Sequence, residues 1–192
     1  MDRVGASYER TIETIIDRLG ANPIPMQIPI GFEAGFKGVV DLLSMQAFIW
    51  DDDLGKDPRI AEIPDDLKAQ AVEYRAKMVE KIAELDDELT MKFLEVQDIS
   101  VDELKAALRN GVIASKTTHV FCGSSLKNKG VQAMLDAAIR YLPSPIDKPP
   151  VKGILDDAAE SEGERPATDE APFAALAFKI ATDPFVGTLT FI

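Results

Sequence analysis

Between Leu67 and Phe93 the residues Leu67, Ala71, Tyr74, Met78, Ile82, Leu85, Leu89 and Phe93 recur at intervals of three and four. That period belongs to a helix with one buried face, so the chain must supply an apolar surface to cover it. Pro64 suits the first turn of such a helix, where a backbone amide has no acceptor to lose. The segment is long enough to be two helices, with a break near Asp86 and Asp87.

The covering surface is written just before it. "NPIPMQIPIG" and "FKGVVDLLSMQAFIW" are short apolar runs with β-branched and aromatic residues, cut by Pro23, Pro25, Pro29, Gly31, Gly35 and Gly38. That pattern predicts short strands and tight turns in a small sheet. Upstream, Tyr8, Ile12, Ile15, Ile16 and Leu19 share one helical face, and Gly20 stands at the C-cap, which predicts a helix over residues 7 to 19. Downstream, Ser100 and Glu103 have capping-box spacing, and Leu104, Ala107 and Leu108 precede Gly111, which predicts a short helix ending there. "HVFC" returns as a strand. Val131, Met134, Leu135, Ala138, Ile139 and Leu142 then form the apolar stripe of a helix stopped by Pro143. The fold class is α/β.

Composition changes at that proline. The stretch from Pro143 to Pro172 is rich in Pro, Asp and Glu, which predicts a connection or exposed excursion with a boundary near residue 147, although "GILD" can pair as a strand. "FAALAFKI" and "GTLTFI" read as strands, but two strands alone are marginal in water. With 33 acidic and 21 basic residues among 192, the net charge of −12 repels nucleic acid and favours basic partners. A free nucleic-acid-binding module is thereby disfavoured. The single cysteine, Cys122, forms no internal disulfide, the first helix is charged throughout, and no apolar run reaches membrane-spanning length. A soluble cytoplasmic protein is expected.

Several segments carry candidate chemistry. In "FCGSSLKNKG" a strand runs through small residues into a helix, a place where backbone amides are free to meet electronegative ligand atoms. On geometry alone the ordinary reading is a small-residue turn. No G-x-x-x-x-G-K-[ST] phosphate loop occurs, and "KNKG" is no substitute for a base-binding motif, because Val131 stands where an Asp is needed. Glu80, Glu84 and Asp87, at roughly 100° per residue, gather opposite Met78, Ile82, Leu85 and Leu89. By composition they form a solvated face. "DDDLGKDPRIAE" sets Asp51, Asp53, Asp57 and Glu62 at calcium-loop spacing, but Lys56 occupies the position that needs glycine, so an acidic hairpin turn after Trp50 is expected. His119 has no ligand partner at suitable spacing, and both it and Cys122 read as strand residues.

Longer stretches bear a family resemblance. "CGSSLKNKGVQAMLDAAIRYLPSP" is closely similar to the last guanine-nucleotide motif of the elongation factor G family of translational GTPases. "MDRVGASYERTIETIIDRLGANPIPMQIPIG" resembles the part of those proteins that begins inside Asn-Lys-x-Asp. "GILDD" and "DEAPFAALAFKIATDPFVGTLTF" resemble the start of their second domain. The resemblance implies that residues 1–19 and 116–146 are the C-terminal remnant of a P-loop-type GTPase domain. It makes residues 20–115 an inserted α/β subdomain and 147–192 a linker with the first strands of an incomplete β-barrel domain II. Met1 and Asp2 would end Asn-Lys-x-Asp, with the phosphate loop and switch regions upstream. The chain is therefore expected to be a fragment, with Met1 an internal methionine.

By the same resemblance, Asp2 would accept from guanine N1–H and the exocyclic amine, and Ser124 would buttress that loop. The Ser125 amide would donate to O6, where the family usually has alanine, and Leu126 would cover the ring. In this chain Asp2 is expected to be frayed. The whole protein would bind GTP or GDP with Mg²⁺ and couple hydrolysis to movement of tRNA and mRNA through the ribosome, whereas this monomeric chain is expected to bind neither and to hydrolyse nothing. The inserted subdomain would face the mobile stalk protein of the large ribosomal subunit, with Glu80, Glu84 and Asp87 meeting a basic patch. Two alternatives stay open: a non-enzymatic stalk-docking module, or a paralogous recycling, release or ribosome-protection factor.

Overall fold

The computed structural model describes residues 1–52, 54–156 and 160–192. The chain divides into two compact units, Met1–Leu142 and Pro143–Ile192. It is a mixed α/β structure in which helices and sheets alternate in the first unit, and among the described residues of the second unit only strands and a 3₁₀ turn at Pro145–Asp147 occur.

Helix α1, Tyr8–Leu19, ends where the sequence places it and begins one residue later, with Ser7 as its cap. Ser7 is extended and its side chain accepts from the Arg10 amide, while Gly20 takes the left-handed conformation (φ 58°) and donates to the Ile16 carbonyl. Only Tyr8 of this helix is fully buried, and its hydroxyl donates to the Gln27 carbonyl. The predicted small sheet is present as an antiparallel meander of β2 (Gln27–Ile30), β3 (Gly38–Asp41), β4 (Gln46–Ile49) and β5 (Arg59–Ala61). A separate parallel pair joins β1 (Pro23–Pro25) to β6 (Thr118–Val120), tying the beginning of the sheet segment to the chain's return near residue 118.

The periodic segment is two helices, α2 (Asp65–Ala83) and α3 (Asp87–Leu94). Asp86 causes the break: its backbone is extended and its carboxylate accepts from the Glu88 and Leu89 amides at 2.9 and 3.0 Å. Ala71, Met78, Ile82 and Leu89 of the periodic set are buried in one core with Ile24, Ile28, Val39 and Val40. Helix α4, Val101–Ile113, opens with the capping box of Ser100 and Glu103. It does not stop at Gly111. That residue is buried inside the helix, where a Cβ would lie 2.7 Å from Leu85 Cδ1, so the glycine serves close helix packing and does not cap the helix.

Two further expectations are corrected. "HVFC" pairs only as far as Val120, and Cys122 is buried beyond the strand. Helix α5, Val131–Tyr141, turns Ala137 and Tyr141 inward, while Met134, Leu135, Ile139 and Leu142 of the predicted stripe are exposed, Ile139 by 83%. Periodicity identifies an apolar face, but only a neighbouring element buries it.

In the second unit β7 (Val151–Ile154) pairs antiparallel with β8 (Glu162–Arg165), and β9 (Lys179–Asp183) with β10 (Gly187–Phe191). β8 arises inside the acidic stretch expected to be a connection, and "FAALAFKI" becomes strand only from Lys179. No described residue of this unit is buried, as befits hairpins with only one partner strand each. No described helix is long and apolar enough to cross a membrane.

Candidate functional site

After β6 the chain folds into a compact turn held by reciprocal backbone hydrogen bonds. The Ser124 amide donates to the Lys129 carbonyl at 2.8 Å and the Lys129 amide returns to Ser124 at 3.0 Å. Asn128, in left-handed conformation (φ 52°), donates its amide to the Ser125 carbonyl. Ser124 is 2% exposed, and its Oγ accepts from the Lys127 amide at 3.2 Å. Ser125 and Leu126 are left at the tip, Leu126 91% exposed, and their amides donate to no described protein atom.

The other end of the chain comes to this turn. The Met1 ammonium donates to the Gly123 carbonyl at 2.6 Å and stands 3.7 Å from the Asp2 carboxylate. The Asp2 side chain is only 15% exposed. Its hydrogen bond from the Ser124 hydroxyl holds the carboxyl below the usual carboxylate range. Asp2 is therefore docked and not frayed as expected. The Asp2 carboxylate, the buried Ser124 hydroxyl and the Ser125 and Leu126 amides thus offer one acceptor group and several donors, which can chemically complement a ring that carries adjacent donors and an acceptor.

The three acidic residues predicted to share a helical face do not lie on one helix. Glu80 is in the last turn of α2, Glu84 is its C-cap, and Asp87 is the first residue of α3 after the break at Asp86. The helical spacing therefore relates Glu80 to Glu84 alone. All three are exposed and pair with no described cation. Glu80 and Glu84 are like charges four apart at a helix C-terminus, an arrangement disfavoured both by mutual repulsion and by the helix dipole. Helix stability does not account for them.

In the acidic loop between β4 and β5, Asp51 pairs with Arg59 at 2.9 Å, which holds its carboxyl low. Asp53 lies outside the described residues, and no metal-binding cluster occurs among those described. Sequence reasoning missed the partners of this loop. Gly55 and Trp50 contact Asn128, Lys129 and Gln132, and the signal available was the short run "KNKGVQ" with its density of hydrogen-bonding side chains.

No protein-family model matches the sequence. A solved structure does. The crystal structure of a protein from Thermus thermophilus aligns over 97% of this chain with a TM-score of 0.71 and 22% identity. The two share a fold. This chain spans about a quarter of that protein, 25% of its length.

Proposed function

We propose that this chain is a segment of a translational GTPase of the elongation factor G type. It would contribute the base-recognition corner of the GTPase domain, an inserted docking subdomain and the start of a second domain. The observation that carries the reading is the meeting of the chain start with this turn, the Met1 ammonium bonded to the Gly123 carbonyl and the Asp2 carboxylate 15% exposed, next to the Ser125 and Leu126 amides that no described protein atom accepts from. A guanine ring satisfies this set: N1–H and the 2-amine donate to the Asp2 carboxylate, O6 accepts from Ser125, and Leu126 lies over the ring. Adenine offers a lone pair at N1 and no 2-amine, so the carboxylate would face an acceptor and lose the water that had solvated it without gaining a donor.

In the whole protein GTP and Mg²⁺ would be held largely by residues outside these 192, since no phosphate-loop pattern is among them. Two or three hydrogen bonds worth about 1 kcal/mol each place base-only binding near the millimolar range or weaker. The chain is accordingly expected not to retain nucleotide on purification. Guanosine at high concentration should still shift the Ser125 and Leu126 amide resonances while adenosine does not. An equal response to both nucleosides, or none to guanosine, removes the base-recognition reading.

Glu80, Glu84 and Asp87 favour docking to a basic surface, and the partner we propose is the C-terminal domain of the ribosomal stalk protein. Electrostatic matching of this kind accelerates encounter and weakens as salt rises. Reversing the three charges to lysine should abolish salt-sensitive stalk binding in a titration at two ionic strengths; unchanged binding rejects the acidic surface. Stalk binding without a guanosine response would favour a docking module that needs no nucleotide.

A further inference from the structure

The loop joining β4 to β5 is fastened to the turn that presents the two free amides. Gly55 sits so close that a Cβ there would lie 2.2 Å from the Lys127 carbonyl oxygen and 2.6 Å from the Asn128 carbonyl carbon. Its φ of 61° independently disfavours any side chain. The Gly55 carbonyl accepts from two side chains, Asn128 Nδ2 at 3.0 Å and Gln132 Nε2 at 2.9 Å, and Gln132 also donates to the Lys56 carbonyl at 3.0 Å. Lys129 is 6% exposed, and its Nζ approaches the Trp50 carbonyl at 3.5 Å. A buried ammonium and two side-chain amides are thus committed to one loop from a distant part of the chain.

We infer that Gly55, Asn128, Lys129 and Gln132 are positioning residues, through which the β4–β5 loop sets the backbone geometry of the base-recognition turn. The inference deepens the base-recognition reading and rests on it for its functional meaning. The carbonyls of Lys127 and Asn128 that face Gly55 belong to the same turn whose amides close onto Ser124 and Ser125. Fixing them fixes the direction of the Ser125 and Leu126 amides at the tip. By linkage, whatever orders or displaces this loop alters the affinity of the turn for a base, and a bound base alters the loop by the same factor.

The test uses the 192-residue chain and no nucleotide. Backbone amide exchange is followed by NMR at Lys127, Asn128 and Lys129, all hydrogen-bonded within the turn, and at Met78 and Ile82 in α2 as controls. Emission of Trp50, the one tryptophan, reports the loop. The variants are Gly55→Ala, which intrudes on the turn, and Gln132→Glu, which keeps the side chain's length but removes both donated hydrogen bonds. The expected result is about tenfold faster exchange at the turn amides in each variant, a shift in Trp50 emission, and unchanged α2 protection. Should Gly55→Ala fail to fold, Gln132→Glu decides. Turn exchange that stays at the wild-type rate in Gln132→Glu overturns the inference, and so does acceleration shared equally by α2, which would mean only a general loss of stability. A negative result removes the brace and leaves the base-recognition reading to the guanosine titration.

Discussion

Tyr8→Phe isolates one hydroxyl that ties α1 to the sheet. Tyr8 is 3% exposed, its hydroxyl donates to the carbonyl of Gln27, itself 1% exposed, and its ring lies 6.5 Å from that of Tyr74. Phenylalanine keeps the ring packing and leaves the carbonyl without that donor, away from water. The cost is about 1–3 kcal/mol at neutral pH, or about 3–10 °C in Tm for a unit of this size. Burial pushes the Tyr8 phenol well above its usual range. The native state therefore holds its proton where the unfolded chain has lost it. The stabilisation is complete below about pH 10 and declines as pH rises toward the folded pKa, by at most about 1.4 kcal/mol per pH unit. The phenylalanine variant has no such proton, so the stability gap should narrow between pH 10 and 11. Urea unfolding followed by Trp50 fluorescence at pH 7, 10 and 11 measures both effects. A gap below about 0.5 kcal/mol at pH 7, or one that does not narrow at pH 11, refutes the buried hydrogen bond.

Burial lowers the pKa of His119 to about 4, and its ring meets Tyr141 edge-on at 4.7 Å. A base with a depressed folded pKa stabilises above its unfolded value near 6.5 and loses that contribution as pH falls toward 4. The urea midpoint should therefore drop more steeply from pH 6.5 to 4.5 in the wild type than in His119→Phe. Cys122 is buried and its thiol pushed up to about 12, so a thiol reagent at pH 8 should label it only in denaturant; prompt labelling of the native chain would contradict its burial. The purified chain should show no GTP hydrolysis, and Mg²⁺-dependent turnover would defeat the assignment of the phosphate contacts to other sequence.

Local signals were the most legible in the sequence. Gly20 closes α1, Ser100 and Glu103 open α4, and the helical run breaks near Asp86 and Asp87, because each such signal satisfies backbone groups within a few residues of itself. A turn at this place was legible, since Ser124 to Lys129 closes by local hydrogen bonds, but it lies ahead of α5 and not at the helix start. Gly111 misled, because a glycine near a helix end resembles a cap until Leu85 is seen packed against it. The stripe on α5 misled for a related reason: its period marks an apolar face, whereas burial went to Ala137 and Tyr141, the residues that meet a neighbour.

The set of elements, their order and most of their ends are thus written along the chain, since capping, periodicity and turn chemistry act over a few residues. Which distant segments meet is settled only when the chain folds. Folding paired β1 with β6, brought the Met1 ammonium and Asp2 to Gly123, and set Gly55 against Asn128. Such contacts depend on loop closure and mutual burial across the whole chain. No single segment encodes the position of its partner.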